Sequence, residues 1–459
     1  MPSSSRPRVS LHSVLTAVSS KPVGSGITHP LSALDHAMAL HTVHLIFYYH
    51  HNLFGSFDLD PSRESLSRVL SLYPMITGRF TRDTHGNWEI KCNDAGVRVI
   101  KATVDTTLHQ WLQSADGSQE MHLTAWDDMP HDFQTWSPFR IQWEWEDLQI
   151  NEFEGGGVAI GVSCSHMVGD LTWAFSFFNS WTRFHRHLPL PPLSHPTPTS
   201  NSNSNSKQPP YFAAATSSAS PNKMPIMGTA TFKFSTSSIS DTLRQLHPNA
   251  TPFDFLSALF WTRLCRYSSS NNITHSLSIC IDSRKLFNSP LPTSPANAFH
   301  FSLLSVDVRD MESSQVGDIA ALVHNHLEAI KEDQILSTLD WLESQRQLGG
   351  GKYREPSQMY GPYLTCVCLD GNGRERELES SLIYGAMFEE GEKAVHVSCH
   401  VGNVEGEGLL IVMPSPEGGL ARTVTLTLPQ NQLALLCQDE AILNLQPTML
   451  LTPTLHVSQ

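Results

Sequence analysis

The chain has 459 residues, too many for one ordinary hydrophobic core and enough for two, and 40% of them are apolar. Lys and Arg number 30 against 44 Asp and Glu, a formal charge of −14, which argues against a phosphate-binding nucleic-acid groove and against direct adhesion to acidic lipid. No apolar run approaches the roughly 20 residues of a membrane span, the Ser-rich start lacks a signal core, and eight cysteines without paired Cys-x-x-Cys knuckles read as reduced core thiols of an intracellular protein.

In chain order, strands are predicted at 44–49, 88–92 and 97–101, and a helix over 62–73, where Leu66, Val69, Leu70 and Tyr73 form one stripe. Ile141-Gln-Trp-Glu-Trp-Glu146 alternates strictly, which predicts a strand with one face buried and one wet. From Gly155 to Cys164 a glycine turn feeds a small apolar run, the pattern of a strand buried on both faces. It leads straight into His166-Met-Val-Gly-Asp170, after which Leu171, Ala174, Phe175, Phe178 and Trp181 recur at helical spacing. With 23 histidines in the chain, His-x-x-x-Asp alone carries little information. Its place between a rigid strand and a helix carries more, and puts His166 where a side chain faces a cleft.

From about His185 to Pro225 the sequence runs through Pro-rich stretches and a Ser-Asn repeat from which no core can be built. An extended, mobile crossover is expected there, dividing the chain into 1–184, a linker at 185–227, and 228–459. Beyond it, Thr251 caps and Pro252 opens a helix running to Arg263, and a second helix is predicted over 317–331. Strands follow at 363–369, 394–400, 408–413 and 423–428, with Gly406-Glu-Gly408 read as a hairpin turn. His396-Val-Ser-Cys399-His400 has the residue types of a metal site, but its period-two flanks favour a strand, and no metal is expected. Strands and helices interleave in both halves, the mark of mixed α/β layers.

Taken together, the ordered landmarks resemble the plant BAHD-type acyltransferases over nearly the whole chain. They are Leu31-Ser-Ala-Leu34-Asp35, the 65–70 helix with Tyr73-Pro74 and Gly78-Arg79, Trp88 to Asn93 with Gly96, and the His166/Asp170 pair. Ile281-Asp282-Ser-Arg284 and the Pro290 to Asn297 element follow, with Ala296 where that family has glycine. The resemblance implies two chloramphenicol-acetyltransferase-like domains with mixed sheets flanked by helices, a channel between them, a long crossover loop and a monomeric protein. It implies His166 as general base, removing a proton from an acceptor hydroxyl or amine that attacks an acyl-CoA thioester. Asp170 would be structural, paired with Arg284, with Asn297 in support. Acyl-CoA would be a co-substrate, and no cofactor would be bound permanently.

One departure stands out. Family members that catalyse transfer carry Asp-Phe-Gly-Trp-Gly followed by Lys-Pro; here the segment is Ala386-Met387-Phe388-Glu389-Glu390-Gly391-Glu392-Lys393-Ala394. Carboxylates near polyanionic CoA repel it by a few tenths to ~1 kcal/mol each when exposed, although a solvated turn explains the glutamates as simply. The eceriferum and Glossy-type wax branch has this profile, and Met38 to His41, Lys91 to Val99 and Tyr363 to Asp370 resemble it. That branch implies an auxiliary role at the endoplasmic reticulum, beside the elongase condensing enzyme that builds very-long-chain acyl groups for cuticular wax. Acyl-CoA-dependent O- or N-acyl transfer remains the alternative.

Overall fold

The structure is a computed structural model that describes residues 9–451 apart from 25, 51–58, 125, 130–132, 144, 147–148, 151–152, 154–155, 191–207, 216–224, 247, 268–272, 287–296 and 371–381. The Ser-Asn repeat and positions 290–296 of the Pro-rich element therefore lie outside the described residues.

Two large mixed sheets, flanked by helices, carry the architecture. The first orders its six strands as Val9–Ala17, Val97–Val104, Phe139–Trp143, Val158–Ser165, Thr42–Tyr49 and His396–Gly402. The second has seven, ordered Phe299–Asp307, Thr274–Asp282, Leu364–Cys368, Leu409–Pro414, Arg422–Pro429, Met227–Phe234 and Thr448–Leu450. Each sheet mixes parallel and antiparallel neighbours.

Because side chains alternate across a strand, each sheet feeds two cores. Leu45, Phe47 and Tyr49 enter the largest one, while Ile46 and Tyr48 pack on the opposite face with Trp111 and Phe153. In the second sheet Leu409, Ile411 and Met413 join that same large core, and Leu410 and Val412 pack with the Pro252–Tyr267 helix. The large core is thus shared by residues from both halves of the chain. That helix opens on a capping box: the Asp254 N–H donates to the Thr251 hydroxyl at 3.2 Å and the Thr251 N–H to the Asp254 carboxylate at 2.8 Å.

Three local expectations change. Gln142, expected on a wet face, is 2% exposed, because its strand is third of six and covered on both sides; its Nε2 donates to the His122 carbonyl at 2.9 Å, while its Oε1 is buried without a partner among the described residues. The Gly406–Gly408 turn does not close a hairpin. His396–Gly402 pairs with Thr42–Tyr49 in the first sheet and Leu409–Pro414 lies in the second, so the turn carries the chain from one sheet to the other. The crossover stretch also contains a short helix, Pro210–Ala215, whose Tyr211 and Phe212 are buried against Phe301 and Trp341. Two adjacent aromatics anchor it where the surrounding Pro, Ser and Asn cannot.

Candidate functional site

All eight residues of the Val158–Ser165 strand are buried. Gly161 is required there, since a Cβ would lie 2.0 Å from the Leu123 carbonyl oxygen. The chain then turns through 166–168, and Asp170 starts the Leu171–His185 helix as its N-cap, accepting the Trp173 N–H at 2.9 Å. The His-to-Asp spacing is therefore that of a strand end, one turn and a helix cap.

Asp170 has no exposed surface, and its carboxylate accepts two bonds from Arg284, Nη2 at 2.9 Å and Nη1 at 3.3 Å, and one from the Ala298 N–H at 2.8 Å. Arg284, whose side chain is 16% exposed, also reaches Asp282 at 3.0 Å. Burial works against its charge, but the two carboxylates outweigh that and raise its pKa above the usual value. This ion pair ties the helix of the first half to the end of the Thr274–Asp282 strand in the second.

His166 is held by its backbone. Its N–H donates to the His41 carbonyl at 3.0 Å, and its own carbonyl accepts from Asn297 Nδ2 at 2.7 Å. The same Asn297 amide donates to Asp35 at 2.8 Å, joining the Leu-Ser-x-Leu-Asp element to the histidine turn. Burial lowers the imidazole pKa most strongly, partly offset by the Asp170 charge, so the ring is neutral near pH 7. A neutral imidazole is the form a general base needs.

Yet the ring has no exposed surface, in contrast to the cleft position its strand-end setting suggests. Phe299 packs on it edge-on, and Tyr360, itself without exposed surface, covers Nε2: its hydroxyl lies 2.9 Å from that nitrogen. Donation from that hydroxyl leaves the proton of neutral imidazole on Nδ1, a buried atom on the side of the ring away from Tyr360. Tyr360 in turn packs edge-on to His41 and to Phe301, with ring centroids 4.9 and 5.4 Å apart.

The segment in place of Asp-Phe-Gly-Trp-Gly is built as an aromatic plug and an acidic turn. Phe388 is buried among Phe178, Trp181 and His185, and the Tyr49 hydroxyl donates to the Ala386 carbonyl at 2.8 Å. Met387 is half-buried, whereas Glu389, Glu390, Gly391 and Lys393 are exposed. The turn uses the freedom of Gly391, whose φ is +89°. His396 and His400 do not converge on a common point as ligands. His400 pairs with the buried carboxylate of Glu120 at 2.7 Å and His396 contacts Ser398; among the described residues no cluster is arranged for a metal.

Sequence reasoning missed Tyr360 and Tyr211, and it met His41 only as the end of the Met38 to His41 stretch of the family resemblance, just before an apolar strand, with no role at the site. For Tyr360 the one local signal is the Gly361-Pro362 turn that follows it, and nothing in the sequence ties it to a residue 194 positions away.

Comparison with known proteins identifies a family and a shared fold. The profile of the Transferase family matches residues 9–442. Protein ECERIFERUM 2 of Arabidopsis thaliana is 26% identical over 438 residues, covering 91% of this chain and 94% of that protein. Protein ECERIFERUM 26-like of the same plant is 31% identical over 168 residues, a match spanning 37% of this chain and 38% of that protein. Among solved structures, vinorine synthase superimposes with a TM-score of 0.68 at 19% identity, covering 95% of this chain and 98% of its own. TRI101 of F. graminearum complexed with ethyl coenzyme A does so at 0.65 and 13%, covering 91% and 98%.

Proposed function

The chain belongs to the Transferase family of BAHD-type proteins, and from that membership we propose that it acts in very-long-chain acyl elongation for cuticular wax, as an auxiliary factor of the elongase condensing enzyme. The observation that carries this reading is the state of its central imidazole. An acyl acceptor must bring its oxygen or nitrogen within about 3 Å of Nε2 while a thioester carbonyl lies in attack range. Here that nitrogen is taken up by a phenol and the ring has no exposed surface. Replacement of the family's Asp-Phe-Gly-Trp-Gly by Met387 to Gly391 points the same way, as does the likeness to ECERIFERUM 2. No helix among the described residues is long and apolar enough to cross a membrane, so residence at the endoplasmic reticulum would come through the partner.

The test is co-expression with a condensing enzyme and analysis of acyl chain length. The reading expects His166→Ala to shift product length as far as the unaltered protein does, and it fails if the substitution abolishes the effect. A second reading, acyl-CoA-dependent O- or N-transfer with His166 as base, is favoured by one observation. The supports of the turn, from Asp170, Arg284 and Asn297, are all in place. CoA release by purified protein, lost in His166→Ala, would establish it.

A further inference from the structure

Three contacts of Tyr360 and two of the residue before it fix its place. Its hydroxyl meets His166 Nε2 at 2.9 Å, the distance at which a general base holds the proton it is to remove. Its ring is wedged between His41 and Phe301. The backbone just before it is clamped from two sides: the Met359 N–H donates to His41 Nε2 at 3.0 Å, and the Met359 carbonyl accepts from the Tyr211 hydroxyl on the crossover helix. Just after it, Gly361 adopts φ +123°, and a Cβ there would strike the Glu405 carbonyl at 1.8 Å, so the chain leaves along one permitted path.

These contacts hold a hydroxyl of the chain itself at the point where an external hydroxyl would have to sit. We propose that Tyr360 is the specificity-determining residue of the acyl-acceptor subsite: its phenol fills that subsite from within, and the space it occupies, once vacated, accepts a phenol or an alcohol of similar shape against His166. Donation from Tyr360 and donation from an external acceptor to Nε2 are mutually exclusive, because in the neutral ring that nitrogen has one lone pair. The subsite walls are His41 and Phe301, apolar apart from the imidazole nitrogens, which suits an aromatic ring with a single hydroxyl. The inference rests on the general-base geometry of the second reading, but it concerns occupancy and not turnover.

The experiment needs no acyl-CoA, so failure of the acyl-transfer reading leaves it untouched. Full-length protein and the Tyr360→Ala variant are treated with diethyl pyrocarbonate, and carbethoxylation of the peptide containing His166 is followed by mass spectrometry, with and without phenol. The unaltered protein should be slow and insensitive to phenol. Tyr360→Ala should react about tenfold faster or more at His166, since the ring that fills the space against Nε2 is then gone, and phenol should return the rate toward that of the unaltered protein. Tyr360→Phe, which keeps the ring in place, should stay slow. Should the Ala variant fail to fold by circular dichroism, Tyr360→Leu serves with the same expectations. Equal reactivity of His166 in the unaltered and small-residue proteins, or no protection by phenol, overturns the proposal.

Discussion

Replacing Arg284 by Met, which keeps the aliphatic stem and removes the charge, tests how the histidine turn is held. Asp170 would retain the Trp173 and Ala298 N–H groups but lose both guanidinium bonds while having no exposed surface. Asp282 would lose its 3.0 Å bond to the same guanidinium but keep the backbone N–H of residue 284, which also donates to it at 3.0 Å. Removing one partner of a buried pair costs about 3–5 kcal/mol; because the Arg284 side chain is 16% exposed and water can reach part of the gap, the lower end, about 3 kcal/mol, is expected. Asp170→Asn should cost a similar amount, since its amide would point donor to donor at Arg284. The double variant should then be less unstable than the two single losses combined, with a coupling of about 2 kcal/mol. Urea unfolding of the four proteins at pH 7 measures this cycle. A loss below about 1 kcal/mol for Arg284→Met, or strict additivity in the double variant, would refute the structural account of the pair.

Two further outcomes follow from buried groups. His41 and His44 are held near pKa 3, chiefly by burial and secondarily by the neighbouring rings of His166 and His400, against 6.5 in the unfolded chain. Lowered folded values mean the unfolded state binds more protons between those limits, so stability is full above about pH 6.5 and falls as pH drops toward 3. Each should cost about 2 kcal/mol between pH 7 and pH 5, read as a lower urea midpoint; an unchanged midpoint contradicts their neutral burial. Gly161→Ala should destabilise by about 2 kcal/mol or more through overpacking, because its Cβ meets the rigid Leu123 carbonyl and not a side chain that can yield. A melting temperature equal to that of the unaltered protein would show that the backbone there shifts freely.

Much of the fold was legible where periodicity is strong. The predicted strand at 44–49 is found as Thr42–Tyr49, and the helix opened by Thr251 and Pro252 starts where its cap placed it, although it runs on to Tyr267. What escaped were pairings set by distant residues. Thr274–Asp282 and Phe299–Asp307 pair along nine residues, yet Ser and His interrupt their apolar pattern, so neither announces itself as a strand. The site divides in the same way. His166 and Asp170 lie on one local element and could be read, and their connection to Arg284 came only through family likeness. The Tyr360 hydroxyl, which decides whether the imidazole is open or capped, is brought in by tertiary packing that no spacing rule encodes.

The His396–Gly402 strand has a consequence for synthesis. Until a ribosome has released residue 402, the Thr42–Tyr49 strand has an open row of backbone donors and acceptors along the flank that His396–Gly402 finally covers. A nascent first half is therefore exposed to chance pairing with neighbouring chains through most of its translation. Truncation before that point should yield inclusion bodies in place of a soluble half-molecule, and swapping halves between relatives should succeed only when this strand travels with the sheet it completes.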